Sequence, residues 1–307
     1  MTRADLLVRA DTLRGGRTPF VLATVVRAER PTSAKAGDRA LVLADGTVEG
    51  FVGGTCAEST VRLQGLRLLE TGESTLLRIT PEITPEPSES GAVEGLVTVA
   101  NPCLSGGTLE IFLEAMLPPA LVHVFGDSPV ARALAAVGGP LGHAVEASTD
   151  PTAPIAPDTA AVVVASHGRD EEPVLAAALR AGVPYVGLVA SRRRGTAVVA
   201  QLDVPDDAKA RVRTPAGLDI GARTAAEIAL SIYAQLVAER VVRAPATQPV
   251  TVPAPAPAPT DAVDPVCGMT VAVAGTSPHL EHAGRTWYFC GPGCQQAFAD
   301  DPARYAA

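Results

Sequence analysis

Short apolar runs of period two alternate along this chain with stretches of helical period, and they come in two styles. In the first third, residues 20–28 (FVLATVVRA) and 39–43 read as strands joined by the loop ERPTSAKAGD, and ADGT followed by VEGFV completes a hairpin. From Cys56 to about Glu70 the spacing turns helical and stops at Gly72. STLLRI is the next strand, followed by a Pro/Glu/Ser-rich loop at 81–92. GLVTVA and TLEIFLEAM then flank the turn NPCLSGG. With the short amphipathic helix of MTRADLLVRADTLRGG, residues 1–117 predict a mixed α/β domain carrying two cysteine-bearing turns.

LPPA marks a change of style. Strand LVHVF, helix 129–137, strands HAVEA and TAAVVVAS, helix 171–182, strand PYVGLVA and helix 191–201 follow in turn, and a long helix at 222–241 closes the series. Apolar strands alternating with helices predict a Rossmann-like parallel sheet over residues 120–242. Residues 243–262 are Pro/Ala-rich, a composition that buries no core. Their stretch 244–260 predicts an extended spacer of up to ~50 Å at roughly 3.1 Å per residue. The last stretch, 263–307, is expected to be a small separate module, too short to hold itself together readily without a metal or a partner.

Composition narrows the function classes. Aromatics make up 4% of 307 residues, so the cores rest on Val, Leu, Ile and Ala, as in α/β proteins. A net charge of −8 argues against nonspecific nucleic-acid binding. No apolar run reaches the ~18 residues of a membrane span. The charged N-terminus lacks a signal core, and five scattered cysteines make no disulfide framework. The expectation is a cytoplasmic protein with reduced thiols.

Those thiols carry most of the chemistry. In the tail, DPVCGMTV and HAGRTWYFCGPGCQQAFADDPARY place Cys267 on a turn, Cys290 at the end of a hairpin strand and Cys294 in the first turn of a helix. Thiolates converging from a turn and a helix start are how small zinc-type sites are built, and the helix dipole is expected to lower the Cys294 pKa. The fourth ligand is left open among Met269, His279, His282 and solvent, and the ion between zinc and a softer one such as Cu(I). A cysteine cluster that binds an ion only to fold is the plainer alternative. These residues resemble a YHS domain over 264–305, which implies a treble-clef-like metal-binding module.

Two further turns pair a thiol with two glycines: Gly53 and Gly54 before Cys56, and Gly106 and Gly107 after Cys103. Glycines let backbone N–H groups approach an anion, and the helix beyond Cys56 adds positive potential. That suits a phosphate-bearing ligand with soft chemistry at one end; ordinary tight turns fit equally. Together with ATVVRAERPTSAKAGDRALV, YVGLVASRRRG and GLDIGARTAAEIALSIYAQLVA, the turns GFVGGTCAES and NPCLSGGTLEIF resemble the XdhC/CoxF family over roughly residues 5–241. The resemblance implies an accessory factor for molybdenum hydroxylases of the xanthine or carbon monoxide dehydrogenase type. Such a factor binds the molybdenum cofactor, assists its sulfuration with a cysteine desulfurase as sulfur donor, and delivers it to the apoenzyme. It allows a homodimer and implies a non-catalytic chaperone, with Cys56 in cofactor handling; Thr55 stands where the family has a third glycine.

Other signals point elsewhere. After LVHVF, GDSPVARAL keeps only Gly126 of a G-x-G-x-x-G fingerprint. Asp127 sits near where pyrophosphate would lie, and Glu146 follows Gly126 by 20 residues, where a ribose-binding acid is expected. Arg192, Arg193 and Arg194 open a helix on the ligand-binding edge of the sheet and could clamp phosphate or pterin oxygens. His167 ends a strand on the same edge. No catalytic triad or paired-carboxylate pattern is present. The competing expectations are an NAD(P)-dependent oxidoreductase and a copper or zinc carrier that docks on a partner enzyme.

Overall fold

A computed structural model describes residues 2–81, 95–101, 107–239 and 261–306. Cys103, Gly106, the loop at 82–94 and most of the Pro/Ala spacer lie outside the described residues. The described residues fall into two compact units. One joins the chain up to Pro118 with the tail from Asp261 onward; the other runs from Pro119 to Glu239.

The first unit opens with α1 (Arg3–Gly15), whose Thr2 and Asp5 form a capping box. Then come β1 (Phe20–Glu29), β2 (Arg39–Leu43), β3 (Val48–Gly50), α2 (Thr55–Thr71), β4 (Thr75–Thr80), β5 (Leu96–Ala100) and β6 (Thr108–Met116). The six strands form one sheet in the order β3-β2-β1-β6-β4-β5. Strands β5 and β6, which flank the NPCLSGG turn in sequence, are not neighbours: β5 pairs parallel with β4, and β6 lies between β1 and β4.

Side-chain alternation divides β1 between two layers. Phe20 packs with Leu6, Ala10 and Leu13 of α1, whereas Val21, Ala23 and Val25 face α2 through Ala57, Val61 and Leu68. At Gly65 a Cβ would stand 3.0 Å from Val42, so a glycine there lets α2 lie close on the sheet. Helix α2 is buried on more than its sheet face: Ser59, Thr60, Arg62, Leu63, Gln64 and Leu66 are also covered. The tail covers Leu63 and Leu66, and the β2–β3 turn takes up Arg62 through the Gly46 carbonyl.

The second unit comprises β7 (Leu121–Phe125), α3 (Pro129–Gly138), β8 (Ala144–Ser148), β9 (Thr159–Val164), α4 (Glu171–Arg180), β10 (Tyr185–Leu188), α5 (Arg192–Gln201), α6 (Asp206–Lys209), β11 (Val212–Arg213) and α7 (Ala225–Ala238). Its five strands are all parallel, in the order β11-β10-β9-β7-β8. Strands β7 and β9 are buried along their whole length, so their sequence reads as continuous apolar runs. Helices α3 and α7 cover one face through Leu134, Ile232 and Tyr233; α4 and α5 cover the other through Leu175, Leu179 and Val198. This is the expected Rossmann-like sandwich. No helix among the described residues is long and apolar enough to cross a membrane.

The tail consists of hairpins β12 (Asp261–Val263) with β13 (Thr270–Ala272) and β14 (His279–His282) with β15 (Arg285–Tyr288), followed by α8 (Pro292–Asp300) and α9 (Pro302–Tyr305). Phe298 is fully buried at its centre, ringed by Trp287, Phe289, His282 and Tyr305. The tail packs on the first domain. Ala272 sits on Leu63 and Leu66 of α2, Asp261 pairs with Arg67, and Gly46 of the β2–β3 turn comes against Ala274 and Thr276.

Candidate metal centre and cofactor-binding turn

The centre is organised by a buried carboxylate. Asp264, fully buried, follows β12 directly and caps the turn that carries Cys267. Its Oδ1 accepts the backbone N–H groups of Val266 (2.8 Å) and Cys267 (3.4 Å), and its Oδ2 accepts that of Cys290 (2.8 Å). One side chain therefore holds both cysteine-bearing loops by charge-assisted bonds. The turn closes with the Gly268 N–H donating to the Asp264 carbonyl at 2.8 Å.

The three tail cysteines meet here as expected. Sγ of Cys290 lies 3.6 Å from Sγ of Cys267 and 3.6 Å from Sγ of Cys294. Thiolates around a tetrahedral zinc with bonds of ~2.3 Å stand roughly 3.8 Å apart, so the sulfur spacing fits such an ion with little adjustment. The ligand atoms of Asp264, Cys267, Cys290 and Cys294 all lie within 4.8 Å of one another.

The electrostatics are those of thiols crowded together. The hydrogen bond from Cys290 holds the Cys267 pKa below its ordinary value, while Cys267 and Cys56 push that of Cys290 far up. Burial, with the negative charge of Asp264 and Cys267, pushes Cys294 up to about 12, opposite in direction to the lowering expected from the helix dipole. Crowded sulfurs cannot all ionise without a cation among them, and a soft divalent or monovalent ion reverses that balance.

Two of the expected fourth ligands point elsewhere. His279 places Nδ1 2.9 Å from the Ser277 carbonyl and lies against Tyr288, and His282 sets its edge on Phe298. Met269 does pack beside Cys290. The sulfur that sequence reasoning assigned to another site also arrives: Cys56, second residue of α2, packs into this cluster and bonds to Cys290. Thr55 beside it touches the tail so closely that a Cβ on Gly291 would stand 2.8 Å from its Cγ2. The turn at Cys56 and the tail cysteines, read from sequence as two sites, share one cluster.

Glycines shape the approach to Cys56. Gly53 is buried at φ +134°, a conformation that disfavours any side chain, and packs on Ala57 and Leu109. Gly54 is exposed and caps α2 without a side-chain hydrogen bond, so the first N–H groups of the helix keep no side-chain partner at the cap. Gly107 has a packing reason of its own: a Cβ there would lie 2.3 Å from the Pro31 carbonyl oxygen.

Residues 13–80 match the profile described as the XdhC and CoxI family, and residues 122–236 that of the XdhC Rossmann domain. Over these two stretches the chain is similar to the XdhC and CoxI family. Residues 262–307 match the YHS domain. The protein YqeB of Escherichia coli K12 is 26% identical over 260 residues, which is 75% of this chain and 45% of that protein. The chain thus spans about half the length of this curated relative. A copper-transporting P-type ATPase of Rhizobium leguminosarum bv. viciae is 45% identical over 42 residues, 14% of this chain and 5% of the ATPase. A solved structure named as a xanthine dehydrogenase from Bacillus halodurans has 18% identity and a TM-score of 0.38, covering 81% of this chain and 98% of that one.

Within the XdhC Rossmann domain, the dinucleotide signals have structural explanations. Gly126, at φ +117°, lies where a Cβ would be 2.4 Å from the Ala165 carbonyl oxygen, so it lets β7 leave the sheet against β9. Asp127 pairs with Arg169, and Ser128 caps α3 by accepting from the Ala131 N–H at 3.1 Å. Glu146 is exposed in the middle of edge strand β8, opposite His123, rather than at a strand end. Of the three arginines, Arg194 is engaged by Glu171 through bonds of 2.7 and 2.5 Å, whereas Arg192 and Arg193 are exposed at the start of α5. His167, at φ +55°, is an exposed loop residue.

Proposed function

We propose that this chain is an accessory factor for xanthine dehydrogenase-type enzymes. In this reading it binds the molybdenum cofactor at the Gly53-Gly54-Cys56 turn, assists its sulfuration with a cysteine desulfurase as donor, and passes it to the apoenzyme. The observation that carries it is the combination at one helix start: a glycine cap with no side chain, followed within two residues by a half-buried thiol. The backbone N–H groups there suit the cofactor's phosphate, and the thiol suits its metal or sulfur. Arg192 and Arg193, taken within the second unit by itself, remain a separate candidate for phosphate or pterin oxygens; the engaged Arg194 does not. Cys103 and Gly106 remain in the same proposal from sequence alone.

The tail in this reading holds one Zn²⁺ or Cu(I) ion through Cys267, Cys290 and Cys294. The sulfur spacing supports it, and similarity to a copper-transporting ATPase favours a soft ion. A dinucleotide-dependent oxidoreductase is disfavoured by Asp127 and its partner Arg169. The test is cofactor retention: wild type and Cys56→Ser are purified from cells that make molybdenum cofactor, and molybdenum and oxidised pterin are measured per chain. Equal retention by the two proteins removes Cys56 from the proposal.

A further inference from the structure

Three donors pack in or against the tail's sulfur cluster: Asp264, whose carboxylate lies within 4.8 Å of the three sulfurs, and Met269 and Cys56, which lie outside that group. Asp264 belongs to the group within 4.8 Å, yet both of its oxygens already accept backbone N–H bonds that hold the cysteine loops. Turning one toward an ion would leave a buried amide without its partner, which is unfavourable. Met269 is 5% exposed in the apolar part of the cluster, and a thioether is a weak ligand for a divalent ion. Cys56 is a half-buried thiol that already bonds to Cys290, at a place where the tail is seated on α2 by independent contacts. Those contacts are Ala272 on Leu63 and Leu66, the Arg67–Asp261 pair, and Gly291 on Thr55.

We propose that Cys56 is the fourth ligand, so that one soft ion is held by Cys56, Cys267, Cys290 and Cys294 and fastens the YHS tail to helix α2. The site belongs to neither module alone. Binding draws the Cys56 sulfur in toward the other three and releases the thiol protons. Closed sites of four thiolates are structural in zinc proteins, with no position left for water or substrate. A consequence, which rests on the cofactor reading above, is that the ion and a cofactor held at Cys56 exclude each other: the tail is a removable cover for that thiol.

The test uses the full-length chain, stripped of metal under reducing conditions and titrated with Zn²⁺ against a chromophoric chelator, and separately with Co²⁺. Cys56→Ser is expected to weaken zinc by about 100-fold or more, beyond the range usual for loss of a supporting outer residue. It should remove about a quarter of the thiolate-to-cobalt charge-transfer intensity, one sulfur bond in four. Met269→Leu should change neither. Wild-type affinity and intensity in Cys56→Ser overturn the proposal. A second measurement needs no variant: iodoacetamide labelling of wild type, mapped by mass spectrometry, with and without zinc. Zinc should protect Cys56 together with the three tail cysteines; protection of those three alone overturns the proposal. Neither measurement contains molybdenum cofactor, so each succeeds or fails apart from the cofactor reading. Preloading wild type with zinc should then lower cofactor retention in proportion to occupancy. Retention that depends on Cys56 yet ignores zinc removes the mutual exclusion.

Discussion

Two turns in this molecule are built alike and do opposite things. Each ends a strand, passes through a glycine at high positive φ and enters a helix: Gly53, Gly54 and Thr55 lead into α2, and Gly126, Asp127 and Ser128 lead into α3. At α3 the polar side chains are spent internally. Ser128 satisfies a helix N–H, Asp127 pairs with Arg169, and Gly126 exists because the backbone of Ala165 leaves no room for a Cβ. At α2 the cap is a bare glycine with open space around it, and the next side chain but one is a thiol that packs against the tail's cysteine cluster. A strand–glycine–helix turn is thus only a frame. What it leaves unsatisfied decides whether a ligand has anything to bind.

The sharpest way to break this comparison is to remove the ion site at the α2 turn. Cys290 is 3% exposed and touches every other thiol of the cluster, so Cys290→Ser or chelation should abolish stoichiometric zinc binding. Structural zinc contributes on the order of 10 kcal/mol to small zinc-binding peptides at neutral pH, whereas nothing at the α3 turn depends on metal. Differential scanning calorimetry with and without chelator should move only a transition of the first unit. An unchanged thermogram on chelation would count against a metal role in the fold of the tail.

The next largest effect lies at the other turn. Gly126→Ala forces a Cβ to 2.4 Å from a carbonyl oxygen at a φ of +117°, and should cost the second unit about 3 kcal/mol or more. Gly54→Ala, at φ −67° with nothing within 4 Å of the added carbon, should cost about 1 kcal/mol or less. Urea unfolding of the two variants measures both. Similar losses would show that the two glycines serve the same purpose after all.

Where sequence could and could not see these sites has physical reasons. Period-two strands, the capped helices and the parallel sheet were legible because local propensity and burial agree there, as in LVHVF and TAAVVV. The cysteine triad was legible because turn, strand end and helix start are local features. Its pairing with Cys56 was not: the two stretches lie more than 200 positions apart, and a Pro/Ala spacer points to independence. One trace was present. VRLQGLRLL in α2 has no wholly polar face, so Leu63 and Leu66 demanded a cover that the first domain's sheet could not also supply. Asp264 was missed because a carboxylate beside a cysteine reads as a ligand or a turn, while its function of tying Val266, Cys267 and Cys290 exists only in three dimensions.

A pH experiment separates the strand beneath the α3 turn from the rest. His123 lies buried in β7, and burial holds its pKa below the ordinary 6.5, against a smaller opposing pull from Glu146. His143 is lowered by burial as well. Below pH 6.5 the unfolded chain takes up protons that the folded one refuses, so these residues leave stability intact above about 6.5 and erode it as pH falls toward the lowered folded values. The second unit should therefore lose stability over that acid window, and His123→Gln should flatten the slope. An equal slope in His123→Gln would mean the strand tolerates a charged imidazole.

The finest test exchanges the caps. Ser128→Gly removes the side-chain acceptor from the Ala131 N–H, and Gly54→Ser supplies one at α2, where none exists. Serine and glycine differ at this position by only a few tenths of a kcal/mol, so unfolding should barely register either change. The expected gain is for α2 and the loss for α3. The functional contrast should be larger than the energetic one. A serine oxygen at position 54 takes up the backbone N–H groups that the cofactor reading reserves for a phosphate, and cofactor retention by Gly54→Ser should fall while zinc affinity stays at the wild-type level. Ser128→Gly frees equivalent N–H groups at α3, but Asp127 still stands beside them and Arg169 still answers it. NADH titrated into Ser128→Gly should thus bind no better than to wild type. Micromolar binding there would mean that the serine cap alone, and not the acid beside it, keeps the second turn closed.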